Sequence, residues 1–160
     1  MNQIETSPSD AARSYSGSSD YRVVLGFGPT HCLILPRGLS LEVLLDLEAV
    51  PLPGAPPWWR GLVGVRGEIL PVLQLASPWR ESPAGREQLI LLRGAHEAVV
   101  LATEAQPGFA AQRSTTASTQ GLPEALAAWC GDAVTLEGSW ESGWEWDAFA
   151  HLKALATTAS

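Results

Sequence analysis

A chain of 160 residues buries roughly 70% of the surface its unfolded form exposes, enough for one compact core, and 46% hydrophobic residues exclude a disordered chain. Only 17% of the residues are charged, against an average of about 25%, while 15 Gly and 12 Pro signal frequent turns. The net charge of −7, from 17 acidic and 10 basic residues, repels a phosphate backbone and argues against nucleic acid as a partner.

Residues 1–19 hold Ser7, Ser9, Ser14, Ser16, Ser18 and Ser19 and almost nothing apolar. They read as a flexible leader without the apolar stretch of a signal peptide, followed by a domain over 20–156 and a short tail over 157–160. In 21–27, period two puts Val23, Leu25 and Phe27 on one face, and 30–35 follows after a Gly28-Pro29 turn signal, which predicts a hairpin. A short apolar run at 43–47 leads into 50–57, whose four prolines remove donors and fix φ, so this stretch is a surface loop. Residues 62–65 and 69–75 are apolar on both faces, as strands buried on both sides are, and Arg66-Gly67 supplies the positive φ of a tight hairpin turn.

A third hairpin pairs 88–92 with 98–103 across Arg93-Gly94-Ala95-His96. Residues 106–120, poor in large apolar side chains, read as an irregular excursion. Leu122, Leu126 and Trp129 recur at helical spacing between Pro123 and Gly131, and Asp147 is placed to cap a last helix presenting Phe149, Leu152 and Leu155, with Lys153 near its negative end. Short strands without βαβ alternation predict a mainly β, mostly antiparallel domain of barrel or sandwich type. Arg66 and Glu68 interrupt the most apolar region, so no stretch reads as a membrane span, and direct membrane insertion is not expected. Together with the missing signal peptide this places the chain in the cytoplasm.

The chemistry of catalysis is not legible. His96-Glu97 begins like a zinc-binding helix, but Val100 stands where the second ligand belongs, and Gly26-Phe27-Gly28 runs into Pro29 rather than a helix. No phosphate loop and no nucleophile turn occur, His31, His96 and His151 are scattered, and Cys32 and Cys130 read as two reduced, buried thiols. No metal and no cofactor is implied. Glu137, Glu141 and Glu145 fall among Trp140, Trp144 and Trp146, a pattern open to two readings: a carbohydrate or small-enzyme site of carboxylates and stacking aromatics, or an acidic face with the indoles turned inward.

The segment VPLPGAPPWWRGLVGVRGEILPVLQL at 50–75 resembles the hallmark of CheW-like domains, in which a Pro-containing loop precedes an R-G-turn hairpin ending in a P-V-x-D-L strand. Ala55-Pro56-Pro57-Trp58, Arg60-Gly61, Val65-Arg66-Gly67-Glu68, Leu70-Pro71-Val72 and Leu75 fall in register with it, and Gln74 stands where the family usually has Asp. A Trp before the hairpin and an apolar residue in place of the family's common Asn make the pattern similar to PilI-type adaptors of pilus chemosensory systems.

The resemblance implies two small SH3-like β-barrel subdomains sharing a core, with short helices, and a non-enzymatic adaptor. Its partners would be a methyl-accepting chemoreceptor and a CheA-type histidine kinase. By the family's register, Arg66 is an interface arginine on a turn that needs Gly67. Arg60 and Trp59 form a second contact, and Trp58, Gly61 and Pro71 are structural anchors, with Trp58 facing the core and Trp59 partly exposed. Residues 51–95 hold Arg60, Arg66, Arg80, Arg86 and Arg93 against Glu68, Glu81 and Glu87. This positive stretch suits either an acidic partner helix or ordinary edge protection.

Overall fold

The computed structural model describes residues 21–79, 86–137, 140 and 142–158. In chain order these form β1 (Tyr21–Phe27), β2 (His31–Ile34), β3 (Ser40–Leu44), β4 (Trp59–Val65), β5 (Glu68–Leu75), β6 (Gln88–Arg93), β7 (Ala98–Thr103), β8 (Gln106–Thr116), α1 (Glu124–Ala127), β9 (Cys130–Glu137), β10 (Ser142–Trp146) and α2 (Ala148–Thr158). Hydrogen bonding sorts the strands into a closed barrel, β1-β2-β10-β9-β8, and a five-stranded sheet of order β3-β6-β7-β5-β4. Pairing is antiparallel except for one parallel pair in each, β2 with β10 and β5 with β7. The expected leader lies outside the described residues, and α2 runs through Thr158.

Three apolar clusters explain why so many strands are apolar on both faces. Val24, Cys32, Ile34, Ala110, Val134 and Leu136 fill the barrel. Leu44, Val63, Val65, Leu70, Val72, Leu91 and Val100 form a separate cluster of the second sheet. Between them, Leu25, Phe27 and Leu33 from the barrel meet Leu73, Leu75, Ile90, Leu92, Val99 and Leu101 from the sheet, closed off by Trp79, Trp144 and Trp146. β1 thus sends Val24 into the barrel and Leu25 and Phe27 into the shared core, so it is buried on both sides rather than on one. The architecture is the mainly β arrangement of two small subdomains about a shared core, one closed and one open along its β3 and β4 edges.

The turn chemistry is as read. Arg66 at φ 49° and Gly67 at φ 85° are both left-handed, the pair of positive φ values that a two-residue hairpin turn with the strands' own twist requires. The hairpins β1–β2 and β6–β7 also form.

Several expectations are corrected. The tip of the β4–β5 hairpin projects past the shared core, so Ile69 is 74% exposed and the hairpin is buried on both sides only toward Leu73 and Leu75. Residues 106–116 are not irregular: β8 is an eleven-residue strand paired with β1 on one side and β9 on the other. The run at 43–47 ends as strand at Leu44, leaving Leu45 and Leu47 exposed. α1 is a single turn after Pro123. Asp147 does cap α2, taking the Ala150 amide on Oδ1 at 3.4 Å, but the helix continues far enough that Lys153 sits mid-helix, 3.7 Å from Glu97.

Candidate partner-binding surfaces

The Arg66-Gly67 turn stands at one end of the open sheet. A Cβ at Gly67 meets nothing within 4 Å, so the glycine answers to backbone conformation and not to space. The Arg66 guanidinium is exposed and hydrogen-bonded to Glu42 on β3, which joins the β4–β5 turn to the opposite edge of the sheet. That bond holds the Glu42 carboxyl below its usual range and raises Arg66 further above neutrality. Beside it, Arg93 on β6 pairs with Glu68 at 3.2 Å.

At the other end of β4, the Pro-rich loop crosses the strand. Val50 and Leu62 exchange both backbone hydrogen bonds, at 2.7 and 3.0 Å, which covers the free edge of β4 at that point. Gly61, buried at φ 132°, lies directly under this crossing, and any Cβ there would overlap the Val50 carbonyl. Pro71 stands opposite Leu62, whose own N–H and C=O face Val50, and pairing of β5 with β7 begins only at Val72, so its missing N–H leaves no ladder bond unmade.

Trp59 is partly exposed as expected, but Trp58, expected as the core anchor, is buried no more deeply. Both are half-buried against the shared core, with rings stacked 6.3 Å apart and planes within 11°. The strand alternation behind that expectation fails for two reasons. Trp58 lies in the turn closed by the Trp59 amide on the Pro56 carbonyl, and the register of β4 shifts between Trp59 and Gly61. The Trp59 indole N–H donates to the Gly61 carbonyl at 3.0 Å.

Trp59 and Arg60 line a groove of about 960 Å³ with Leu45, Leu47, Pro51, Leu52, Arg86 and Glu87. The loop before it holds Leu45 77% exposed and Val50 65% exposed, with Asp46 between Leu45 and Leu47 at a left-handed φ of 59°. This groove, apolar at its leucines and Trp59 and charged at Arg60, Arg86 and Glu87, was not foreseen from the sequence. The alternation Leu45-Asp46-Leu47-Glu48 just beyond an edge strand was its one visible signal.

The arginines of 51–95 are not a free positive patch: Arg60 pairs with Glu87, Arg66 with Glu42 and Arg93 with Glu68, while Arg80 and Glu81 lie outside the described residues. The tryptophans of the acidic segment face inward. Trp144 and Trp146 are 1% exposed, and their indole N–H groups donate to the Ser118 carbonyl and to His151 Nδ1 at 3.1 Å each, which leaves neither ring for a sugar to stack on. Glu145 instead accepts from Arg22 at 2.6 Å. Arg22, on the inward face of β1 two residues from Val24, is buried and also donates to Gln112 Oε1 and to the Leu35 carbonyl, both at 3.0 Å. It ties β1, β8 and β10 together, and its role escaped the sequence reading.

Both cysteines are free. Cys32 is buried in the barrel, which pushes its thiol up to about 12, while Cys130 is only half-buried at the start of β9, with its thiol at about 11. Among the described residues no three His, Cys, Asp or Glu side chains gather as metal ligands, and no helix is long and apolar enough to cross a membrane.

No family model and no curated protein matches the chain. Solved structures do. The crystal structure of the scaffolding protein TtCheW from Thermoanaerobacter tengcongensis superposes with a TM-score of 0.55 over 79% of this chain and 88% of that one, at 15% identity. Together with the two subdomains and their shared core, this likeness assigns the chain the CheW-like fold.

Proposed function

We propose that the chain is a cytoplasmic, non-enzymatic adaptor of a bacterial chemosensory array, coupling a methyl-accepting chemoreceptor to a CheA-type histidine kinase. The observation that carries this reading is the separation of the two candidate contacts along one strand. Arg66-Gly67 and the Trp59-Arg60 groove stand at opposite ends of β4, six residues or about 20 Å apart. They serve two partners more readily than one, which is the requirement of an adaptor. At the turn, an exposed guanidinium suits bidentate recognition of a carboxylate on a receptor helix, in exchange for Glu42. At the groove, a half-buried tryptophan beside an arginine has the composition of an interface hot spot for the kinase's regulatory domain, and the exposed leucines add apolar area around it.

The test is co-purification of the chain with a receptor cytoplasmic domain and a kinase regulatory domain from the same cell. Both are expected to bind at once, Arg66→Ala removing the receptor and Trp59→Ala the kinase. Competition of the two for a single face, or binding of neither, overturns the reading. The sequence pattern of PilI-type adaptors supports a pilus system, so deletion of the gene is expected to abolish twitching and spare swimming.

A further inference from the structure

α2 lies across both subdomains. On the side of the open sheet, its Phe149 ring rests on Gly94 in the β6–β7 turn, where a Cβ would lie 3.2 Å from the ring, and Lys153 reaches Glu97 in the same turn. On the side of the barrel, it is fastened through His151. The Trp146 indole N–H donates to His151 Nδ1 at 3.1 Å, and the imidazole stacks on Trp129 with centroids 5.3 Å apart and planes within 10°. Trp146 also meets it edge-on at 6.0 Å.

We propose that His151 is a proton-operated catch: taking up a proton releases α2 from the barrel and loosens the strut between the two subdomains. Nδ1 accepts the indole bond only while the imidazole is neutral, with its one proton on Nε2. A proton from solvent on Nδ1 turns that nitrogen into a donor facing another donor, so the bond to Trp146 is lost. The new cation also sits in the first turns of α2, at the positive end of the helix dipole.

The charged and titratable groups that flank the ring and its two indole partners along the chain are Asp147, which caps the helix one turn earlier, Glu145 on β10, held by Arg22, and Cys130 at the start of β9. Lys153, two residues on, is held by Glu97. Burial disfavours the imidazolium and keeps the imidazole below its ordinary range, so the catch is closed at neutral pH and opens in acid.

Amide hydrogen exchange by NMR on the full chain at about pH 7.5 and about pH 5, with His151 ring shifts followed through the same series, tests this. Protection of the Ala150 and His151 amides is expected to fall roughly five- to tenfold, the worth of one hydrogen bond, while β1 and β7 keep theirs. The midpoint of the fall is expected to coincide with titration of the His151 ring. H151Q, whose side-chain carbonyl accepts the indole bond at either pH, is expected to hold α2 in place throughout. The proposal is overturned by equal protection at the two pH values, by a fall shared equally with β1 and β7, by a midpoint apart from the His151 titration, or by a fall that persists in H151Q. The wild-type series decides the matter even where the variant does not fold.

Discussion

The closed barrel and the open sheet are built from the same number of strands, each with one parallel pair, yet they manage their edges in opposite ways. The barrel has none: β8 returns to β1, Arg22 is buried across three of its strands, and Trp140 packs over Gly26 and Gly108, where a Cβ on either glycine would strike the indole. The sheet leaves β3 and β4 as edges and covers them piecemeal, with the Val50 crossing at one end and the surface Arg66–Glu42 pair at the other. Exposed Leu45, Leu47, Val50 and Ile69 belong to the sheet subdomain, while the barrel exposes Tyr21 and Phe109 on β1 and β8. On the proposed function, the sheet's open edges carry the two candidate contacts and the barrel supports them.

Substitutions in the core between the two halves have the largest expected effect. Trp144→Ala removes a fully buried indole and is expected to cost roughly 3–5 kcal/mol in urea unfolding. Trp58→Ala and Trp59→Ala, each removing half of a stacked and half-exposed pair, are expected to cost clearly less and to agree within about 1 kcal/mol. A Trp59 variant as unstable as the Trp144 variant would make the groove part of the scaffold and erase the contrast.

Two glycines of one hairpin separate strain from collision. Gly67→Ala introduces a Cβ into open space at φ 85° and is expected to cost about 1–2 kcal/mol, the left-handed penalty alone. Gly61→Ala drives its Cβ into the Val50 backbone as well, and is expected to cost roughly 3 kcal/mol or more, with the Pro-rich loop lifted from the β4 edge and its amides unprotected in hydrogen exchange.

Alkaline titration acts through two raised thiols, Cys32 inside the barrel and Cys130 at the start of β9. Burial raises the Cys32 thiol from 9.0 to about 12, so its contribution to stability is complete below 9.0 and is lost as the pH climbs toward about 12. Cys32 belongs to the barrel's interior cluster and the sheet's own cluster holds no thiol, so alkali is expected to expose barrel amides before those of β6 and β7. Cys32→Ala is expected to reduce the alkaline limb of the stability curve, leaving the smaller part that Cys130 carries. A limb unchanged in that variant would locate the loss elsewhere.

Legibility followed the same division. The hairpins could be read because their turns carry residues that few other structures use, Arg66-Gly67 above all, and because burial on both faces leaves continuous apolar runs. β8 could not: its side chains are polar from Gln112 to Thr116, and its extended state is imposed by the backbone groups of β1 and β9 on either side. Arg22 looked like an ordinary charge because its partners, Gln112 and Glu145, lie 90 and 123 residues away. The resemblance placed Arg66 and Trp59 on the surface but gave no hint of Glu42 or of the stacked indoles, since both depend on how the sheet curls and where β4 shifts register.

The smallest expected effect on stability belongs to the pair that closes the seam. Arg66 and Glu42 are both solvent-exposed, where water screens the attraction and ordering two long side chains offsets much of it. Arg66→Ala and Glu42→Gln are therefore expected to melt within a few degrees of the parent chain. In receptor-binding titrations, by contrast, Arg66→Ala is expected to lose roughly tenfold or more in affinity, as for other charge-assisted bonds. Arg66→Lys, which keeps the charge but not the two-pronged geometry, is expected to fall between. If Arg66→Ala instead melts as early as Gly61→Ala while its residual folded fraction binds receptor normally, the guanidinium is part of the sheet's closure. The open sheet would then be held at both ends by structural devices, with its docking surface confined to the groove.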